Sequence, residues 1–215
     1  MTLNEIAYNI LNSLRGGRSN HDEHISLDQI KFNIKHYRAM LIRRDFARNG
    51  MVTRHLEQDL GCLKVIQVDA SKCCNLPSVE KIPRTIRFNF TDAITYVGDI
   101  SGKSNIPMVP SSMVQWLPYD KYTNAKYKAY MIQDYLYIYN ADGLEYINVR
   151  GVFEDPEDLR LFDCGDDGGC YDDSTSEFPI PMDMVQGITQ SLMSGELRML
   201  AGTFSDTENN RAQDE

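Results

Sequence analysis

The sequence predicts an α+β protein with a discontinuous helical domain at the two ends of the chain, an inserted antiparallel β-rich domain and an extended acidic C-terminal tail. Apolar residues recur at helical spacing in both end regions, a period of two dominates the middle, and the last residues have no apolar period. Helices at the two ends bury their apolar stripes best against each other. We therefore expect a helical domain of residues 1–50 and 178–205, a β-rich insertion of 51–177, and a tail, 206–215, that is mobile until a neighbour orders it.

Two helices are expected in the first part of the chain. Thr2 and Glu5 have the spacing of a capping box, in which each side chain accepts a hydrogen bond from a backbone N–H group that the helix leaves unpaired. Ser26 and Gln29 repeat this spacing at the start of a longer helix. Gly50 follows the end of that helix, at the position where glycine is favoured.

Short strands bounded by turn signals are expected in the middle of the chain, at 62–68, 85–90, 93–100, 129–140 and 144–153. Prolines between them confine the strands to short, edge-like pieces. The last two strands are separated by Asn140-Ala141-Asp142-Gly143, which is a turn signal, and we expect them to form a hairpin.

Tyrosines alternate with aliphatic residues in the first strand of this expected hairpin. Ile132, Leu136 and Ile138 are expected on one face, with Tyr135, Tyr137 and Tyr139 on the other. Two interpretations of the tyrosines stay open. The rings pack on the core with their hydroxyls at its rim, or they form a protein–protein contact surface, because tyrosine offers a large contact area at low entropic cost.

The charge of the chain is unevenly distributed. The total is −9, from 22 basic and 31 acidic residues. Residues 1–50 sum to +3, residues 51–150 to +1 and residues 151–215 to −13. Such an acidic chain is a poor candidate for wrapping DNA, since binding to phosphates requires a basic surface.

The helix expected before Gly50 is the one basic element of the chain. Its basic residues are Lys31, Lys35, Arg38, Arg43, Arg44 and Arg48, opposed by Asp28 and Asp45. One interpretation is a solvated helix face. The other is a docking face for an acidic surface on another subunit or partner. Direct DNA binding is a third alternative, which the overall charge disfavours.

The acidic segment 163–173 and the cysteines are the candidates for metal binding. The ligands to weigh are Cys73, Cys74, Cys164 and Cys170 for zinc, and Asp163, Asp166, Asp167 and Asp172 for calcium. Neither cysteine spacing is the C-x2-C type of a zinc knuckle, and the aspartates lack EF-hand spacing. The simplest interpretation is an acidic surface loop with free thiols, since the five cysteines are an odd number. We predict no metal and no cofactor.

No catalytic motif is visible in the sequence. G-x-S-x-G, P-loop and H-E-x-x-H patterns are absent, and the four histidines, at positions 21, 24, 36 and 55, lie in or beside the expected N-terminal helices. No apolar run approaches the roughly 18 residues that cross a bilayer. The N-terminal segment also lacks the basic start and the cleavage site of a signal peptide. We therefore expect no enzymatic activity, no membrane partner and synthesis in the cytoplasm.

Several segments, taken in order, resemble a known family. IPRTIRFNF (82–90) continues into TDAITYVG (91–98), DYLYIYN (134–140) is followed by LEYINVRGVFEDP (144–156), and an acidic loop with cysteines precedes FPIP (178–181). With SLDQIKFNIKHYRAMLIRRD (26–45), these segments resemble the head–tail connector, or ring, proteins of crAss-like bacteriophages, which are short-tailed phages of gut Bacteroidales. The resemblance covers nearly the whole chain and includes no catalytic residues.

The resemblance implies a structural protein of the virion, made in the cytoplasm of the bacterial host. It also implies a homo-oligomeric, dodecameric ring below the portal, with the portal and neighbouring tail ring proteins as partners and DNA passing through the lumen. We expect the assembly interface at Lys31, Lys35, Arg38, Arg43, Arg44, Tyr135, Tyr137 and Tyr139. Two other functions stay open. One is a soluble metal- or ligand-binding regulator with the same fold, and the other is an assembly scaffold or chaperone that is absent from the mature virion.

Overall fold

The structure, a computed structural model, describes residues 1–14, 25–61, 63–66, 81–88, 91–119, 121–122, 126–141, 143–162 and 175–195. Its helices and antiparallel strands confirm the α+β class. The chain divides into two compact units. We call Met1–Ile42 with Asp173–Glu215 the helical unit, and Arg43–Asp172 the β unit. The boundaries expected from the sequence were 50/51 and 177/178.

The described residues of the helical unit contain α1 (Leu3–Leu14), the first part of α2 (Leu27–Asn49) and α3 (Met182–Ser194). The division between the units falls within α2. From the sequence, a last helix is expected at about 182–200. α3 begins at Met182 as expected, and residues 196–200 lie outside the described residues. Among the described residues, the aliphatic core of the unit consists of Leu3, Ile6, Ala7, Ile10, Leu11, Ile30, Ile34, Leu41, Ile42, Ile188 and Leu192.

The predicted signals at the helix ends are confirmed. The Thr2 N–H donates to Glu5 Oε2 at 2.9 Å, and the Glu5 N–H donates to Thr2 Oγ1 at 3.2 Å. The Gln29 N–H donates to Ser26 Oγ at 3.2 Å. Gly50 follows α2 with a φ of 68°, a conformation that glycine adopts without steric cost. These hydrogen bonds satisfy donors that the first turns of α1 and α2 leave unpaired.

The strands of the β unit, among the described residues, are β1 (Gln58–Asp59), β2 (Leu63–Lys64), β3 (Arg87–Phe88), β4 (Thr91–Asp92), β5 (Ile94–Gly98), β6 (Lys128–Ile132), β7 (Tyr135–Tyr139) and β8 (Tyr146–Gly151). β8 is the centre of the main sheet. β5 pairs with most of its length, while β1 and β2 pair with its two ends, all antiparallel. β3 pairs with β4, and β6 pairs with β7.

The hairpin that the sequence predicted between 129–140 and 144–153 is wrong. The first of these segments contains two strands, because the chain reverses at Gln133 and Asp134, whose φ values are 51° and 65°. Two consecutive positive φ values form the tight turn that matches the twist of a two-residue hairpin. The turn signal at 140–143 leads out of this hairpin into β8, which belongs to the main sheet.

The new register changes which side chains share a face. Ile132 lies directly opposite Tyr135, and Tyr130 lies opposite Tyr137. Because paired residues project to the same side of a sheet, Ile132 belongs to the tyrosine face, and not to the face of Leu136 as predicted. Ile132 is accordingly exposed, whereas Leu136 is buried.

In the described part of the chain, 3₁₀ helices lie at Arg54–Leu56 before β1, at Ser111–Tyr119 between β5 and β6, and at Pro156–Leu161 after β8. The second is attached to the β6–β7 hairpin through the segment before it. The Ala129 N–H donates to the Pro107 oxygen at 3.0 Å, and the Val109 N–H donates to the Ala129 oxygen at 2.8 Å.

The last turns of α2 also belong to the β unit, where Phe46 stacks on Phe88 with ring centroids 3.9 Å apart.

Candidate assembly interface

The basic residues of α2 do not form a single exposed face. Lys31 and Lys35 are half-buried in the helical unit, and Arg38 is fully buried there. Arg43 and Arg44, in the part of α2 that belongs to the β unit, are exposed. Of the five basic residues expected at an interface, these two arginines are the ones with exposed side chains.

Arg38 is part of the core of the helical unit. Its Nε donates a hydrogen bond to the Pro179 carbonyl oxygen at 2.9 Å, and its guanidinium carbon lies 5.6 Å from the centre of the Phe178 ring. The sequence-based expectation placed Arg38 on a docking face, because its helix is the one basic element in an acidic chain. The structure instead uses the guanidinium to attach the segment before α3 to α2, so its side chain is not accessible to a partner.

Tyr135, Tyr137 and Tyr139 share one face of β7 and are all half-buried. Tyr137 stacks on Tyr130 of the paired strand, with ring centroids 5.2 Å apart and planes inclined by 10°. Burial is the main cause of the raised pKa of Tyr130, and the nearby Tyr137 hydroxyl raises it further. The tyrosines therefore pack against one another and still offer part of their surface to solvent, and a contact with a partner at these residues stays a prediction.

An acidic cleft of about 570 Å³ opens in the β unit next to the turn of the β6–β7 hairpin. Its lining residues are Lys81, Ile82, Pro83, Arg84, Asp134, Glu154, Asp155, Asp158, Leu161 and Phe162. Four of these are acidic and two are basic. The carboxylates come from the hairpin turn and from the segment after β8, which begins the acidic part of the sequence.

Backbone hydrogen bonds fix the walls of this acidic cleft. The Ile82 N–H donates to the Asp134 oxygen at 3.0 Å, and the Glu154 N–H donates to the Arg84 oxygen at 2.8 Å. Arg84 Nε lies 3.8 Å from Asp134 Oδ2, and both residues line the cleft. Asp155 caps the third 3₁₀ helix by accepting a hydrogen bond from the Glu157 N–H at 2.9 Å. The cleft therefore has a defined shape and an excess of negative charge.

A row of exposed apolar side chains on the second 3₁₀ helix was not predicted. Met113, Trp116 and Tyr119 are spaced three residues apart, which places them on one line of a 3₁₀ helix. All three are exposed, whereas Leu117 on another side of the helix is buried. We call these three residues the aromatic stripe.

The sequence contains a signal for the aromatic stripe that compositional reasoning passes over. Residues 104–119 contain no charged side chain, although a quarter of the chain is charged. Prolines at 110 and 118 also argue against a strand here. A surface helix without charges and with large side chains three residues apart indicates a contact surface.

The candidate metal ligands of the sequence, Cys73, Cys74, Cys164, Cys170 and the aspartates of 163–173, lie outside the described residues. Within the ranges that the structure describes, no group of three or more His, Cys, Asp or Glu side chains could hold a metal ion. In that same part of the chain, no helix is long and apolar enough to cross a membrane.

A protein-family model described as phage tail ring protein 2, from the crAss-like phages, matches residues 5–215. The chain belongs to this tail ring family. No curated protein matches it. As a member of the family, the ring protein is a structural component of the phage tail and hence of the virion. It assembles with other tail proteins.

A protein that forms a ring needs surfaces that contact its neighbours. A closed ring of identical subunits uses a heterologous interface, in which two different surfaces of each subunit meet. The exposed arginines at the end of α2, the acidic cleft and the aromatic stripe are three surfaces with different chemistry. A contact with a neighbouring subunit at any of them stays a prediction.

Proposed function

We propose that this ring protein forms a homo-oligomeric ring, a dodecamer, in the head-to-tail connector below the portal. The genome passes through the lumen, and the two rims of the ring serve as docking platforms for the portal and for further tail ring proteins. The family assignment supports a tail ring, and the resemblance of the ordered segments to head–tail connector proteins supports the position below the portal.

The separation of charge in the folded chain is the observation that carries this proposal. Arg43, Arg44 and Arg48 are exposed on the last turns of α2, whereas Glu154, Asp155 and Asp158 line the acidic cleft together with Asp134. In a heterologous interface, opposite charges on the two surfaces steer association and set the register. The arginines of one subunit then bind at the acidic cleft of the next subunit or of an adjoining ring.

A second consequence of the charge concerns DNA. The chain has a net charge of −9, so a ring of many copies is strongly acidic. We expect part of this negative charge to line the lumen, where like-charge repulsion would keep phosphates from adhering. A passage that repels the genome suits a connector through which DNA moves during ejection.

The experiment is to determine the mass and shape of the full-length chain, alone and mixed with the portal protein of the same phage, by native mass spectrometry and electron microscopy. We expect a ring in at least one sample. The double variant Arg43→Glu with Arg44→Glu weakens assembly, and adding Glu154→Lys with Asp158→Lys restores it. Assembly of the wild-type chain should also weaken as salt rises, because exposed charges are screened.

A matched control makes the same change in net charge at two exposed lysines outside α2 and the acidic cleft, with Lys103→Glu and Lys126→Glu. This control is expected to assemble like the wild type. If neither sample forms a ring, the proposed function is contradicted. If rings form and the arginine variant assembles normally, the charge-based contact is contradicted while the ring stands.

Mass spectrometry of purified virions tests the scaffold alternative, since a scaffold would be missing from the mature particle. Metal analysis of the full-length chain tests the regulator alternative. A stoichiometric ion on a stable monomer, in the absence and presence of portal, would favour that function over a connector ring.

A further inference from the structure

In the described part of the β unit, the aromatic stripe is a row of large, exposed apolar side chains on one line of a helix. The exposed fractions are 56% for Met113, 65% for Trp116 and 82% for Tyr119. Trp116 is the single tryptophan of the chain. Tryptophan and tyrosine are the residue types that most often dominate binding energy at protein interfaces. If the Trp116 and Tyr119 rings stayed exposed to water in the assembled ring, they would contribute no binding energy.

A mainly apolar partner surface suits the aromatic stripe best. Residues 104–119 have no charge, so an ion pair cannot select the partner from this segment. The two aromatic rings offer up to about 300–500 Å² of contact area. That is less than the roughly 800 Å² per partner of a standard interface, so the stripe is suited to be the centre of a larger contact.

A second exposed apolar row lies on α2. Phe32 is 68% exposed, Met40 is 45% exposed, and the exposed His36 lies between them. Positions four residues apart lie on one face of an α-helix. We call these residues the outer row of α2. It lies away from the buried side of the helix, where Ile30 and Ile34 pack into the core.

Resting on the ring proposed above, we infer that the aromatic stripe of one subunit packs on the outer row of α2 of the next subunit. The two rows have matching lengths. Six residues of a 3₁₀ helix from Met113 to Tyr119 span about 12 Å at a rise of about 2.0 Å. Eight residues of an α-helix from Phe32 to Met40 span about 12 Å at about 1.5 Å.

The chemistry of the two rows is complementary. Methionine thioethers make favourable contacts with aromatic rings, so Met40 suits Trp116 or Tyr119. Phe32 offers a further ring for an edge-to-face or offset stacked contact. Because the rows are different surfaces of the subunit, their pairing is heterologous and can repeat around a ring.

The inferred contact continues the charge-based contact of the proposed function. In the β unit, the acidic cleft includes Asp134, at the turn of the β6–β7 hairpin, while Ala129, at the other end of β6, holds the segment before the aromatic stripe. β6 extends about 10 Å from Ala129 to Ile132, and Asp134 follows in the turn. The acidic cleft and the segment before the aromatic stripe therefore contact opposite ends of the same hairpin.

The first test measures the concentration of full-length chain at half-assembly, under the condition in which the wild type forms rings. We expect Trp116→Ala and Phe32→Ala each to raise that concentration about tenfold, as truncation of a central interface residue does. In the double variant Trp116→Ala with Met40→Ala, the two single effects should not multiply, because residues in direct contact lose the same interaction. Unchanged circular dichroism and melting temperature check that the variants fold.

Met51→Ala is the matched control for Met113→Ala, since both methionines are exposed and only Met113 lies on the aromatic stripe. The control should assemble like the wild type, and Met113→Ala should not. Normal assembly of Trp116→Ala and Phe32→Ala, or fully multiplicative effects in the double variant, would overturn the pairing and leave the proposed ring intact. Absence of any ring from the wild type overturns both.

A second test uses a photo-crosslinking amino acid at position 116 of the full-length chain in the same assembly. A crosslink from position 116 to residues 32–40 of a different chain supports the inference. A crosslink to residues 196–215, to the portal, or to the same chain overturns it and identifies the actual occupant of the stripe.

Discussion

Arg38 and Pro179, 141 positions apart in the sequence, are joined by a hydrogen bond of 2.9 Å from the guanidinium Nε to the carbonyl oxygen. The neighbouring Phe178 N–H donates to the Met1 oxygen at 2.9 Å, and the Phe178 ring lies beside the guanidinium. The segment before α3 is thereby attached to α2 and to Met1, ahead of α1. A basic residue that sequence reasoning assigned to an interface thus closes the helical unit around its core.

Replacing Arg38 should lower stability. Arg38→Met keeps an apolar stem but removes the hydrogen bond to Pro179, which is worth about 1.5–3 kcal/mol when the donor is charged and buried. Arg43→Met is the matched control, because Arg43 is exposed, and it should change the free energy of unfolding by less than about 0.5 kcal/mol. Urea unfolding of both variants measures the difference. Equal stabilities would contradict the structural role of Arg38.

The capping box at the start of α1 should contribute measurably as well. Thr2→Val removes the hydroxyl that accepts the Glu5 N–H, and we expect a loss of about 1 kcal/mol in the free energy of unfolding. Thr53→Val is the matched control, since Thr53 precedes the first 3₁₀ helix without a side-chain capping bond. Thermal unfolding should place the Thr53 variant near the wild type. A Thr2 variant as stable as the Thr53 variant would show that the box has no energetic effect.

The helix ends could be predicted from the sequence because the interactions that define them are local. Thr2 with Glu5, and Ser26 with Gln29, form their hydrogen bonds within one turn. The hairpin could not be predicted, because Gln133 and Asp134 adopt positive φ values without the Asn-Gly or Asp-Gly signal of such turns. The register, and with it the face of Ile132, followed from that unrecognised turn.

The candidate interface was predictable only in part, for a related reason. α2 has apolar residues on its exposed side, at Phe32 and Met40, as well as on its buried side. A periodic pattern then does not reveal which basic residues are buried, and Arg38 was misplaced. The aromatic stripe was missed because 3₁₀ helices longer than a few residues are uncommon, so spacing of three, as in Trp116 and Tyr119, is not normally searched for.

The ionisation of Asp99 makes the stability of the β unit depend slightly on pH. The Ser101 hydroxyl donates to its carboxylate and lowers its pKa below the usual 3.8, with smaller contributions from nearby backbone N–H groups and Lys103. A lowered pKa favours the charged form in the folded state, so its stabilising effect is present above 3.8 and is lost as the pH falls through the folded value. Carboxyl NMR titration should show Ser101→Ala raising the pKa of Asp99. Ser112→Ala, at another exposed serine, should leave it unchanged; an unshifted Asp99 in the Ser101 variant would contradict the assignment.

Two glycines should respond to alanine in opposite directions. At Gly98, an added Cβ would meet the Ser104 carbonyl oxygen and the Tyr96 hydroxyl, which themselves form a hydrogen bond of 2.9 Å. Gly98→Ala must displace this pair, and we expect it to lower the free energy of unfolding by about 2–3 kcal/mol.

At Gly187, inside α3, the nearest atom to an added Cβ is Leu41 Cδ1 at 3.8 Å, which is an ordinary van der Waals contact. Gly187→Ala therefore gains helix propensity without a clash, and it should raise stability by about 0.5–1 kcal/mol. Chemical unfolding of both variants under the same conditions measures the two signs. A stabilising Gly98→Ala would disprove the close approach of Tyr96 and Ser104, and a destabilising Gly187→Ala would disprove the spacing between α3 and α2.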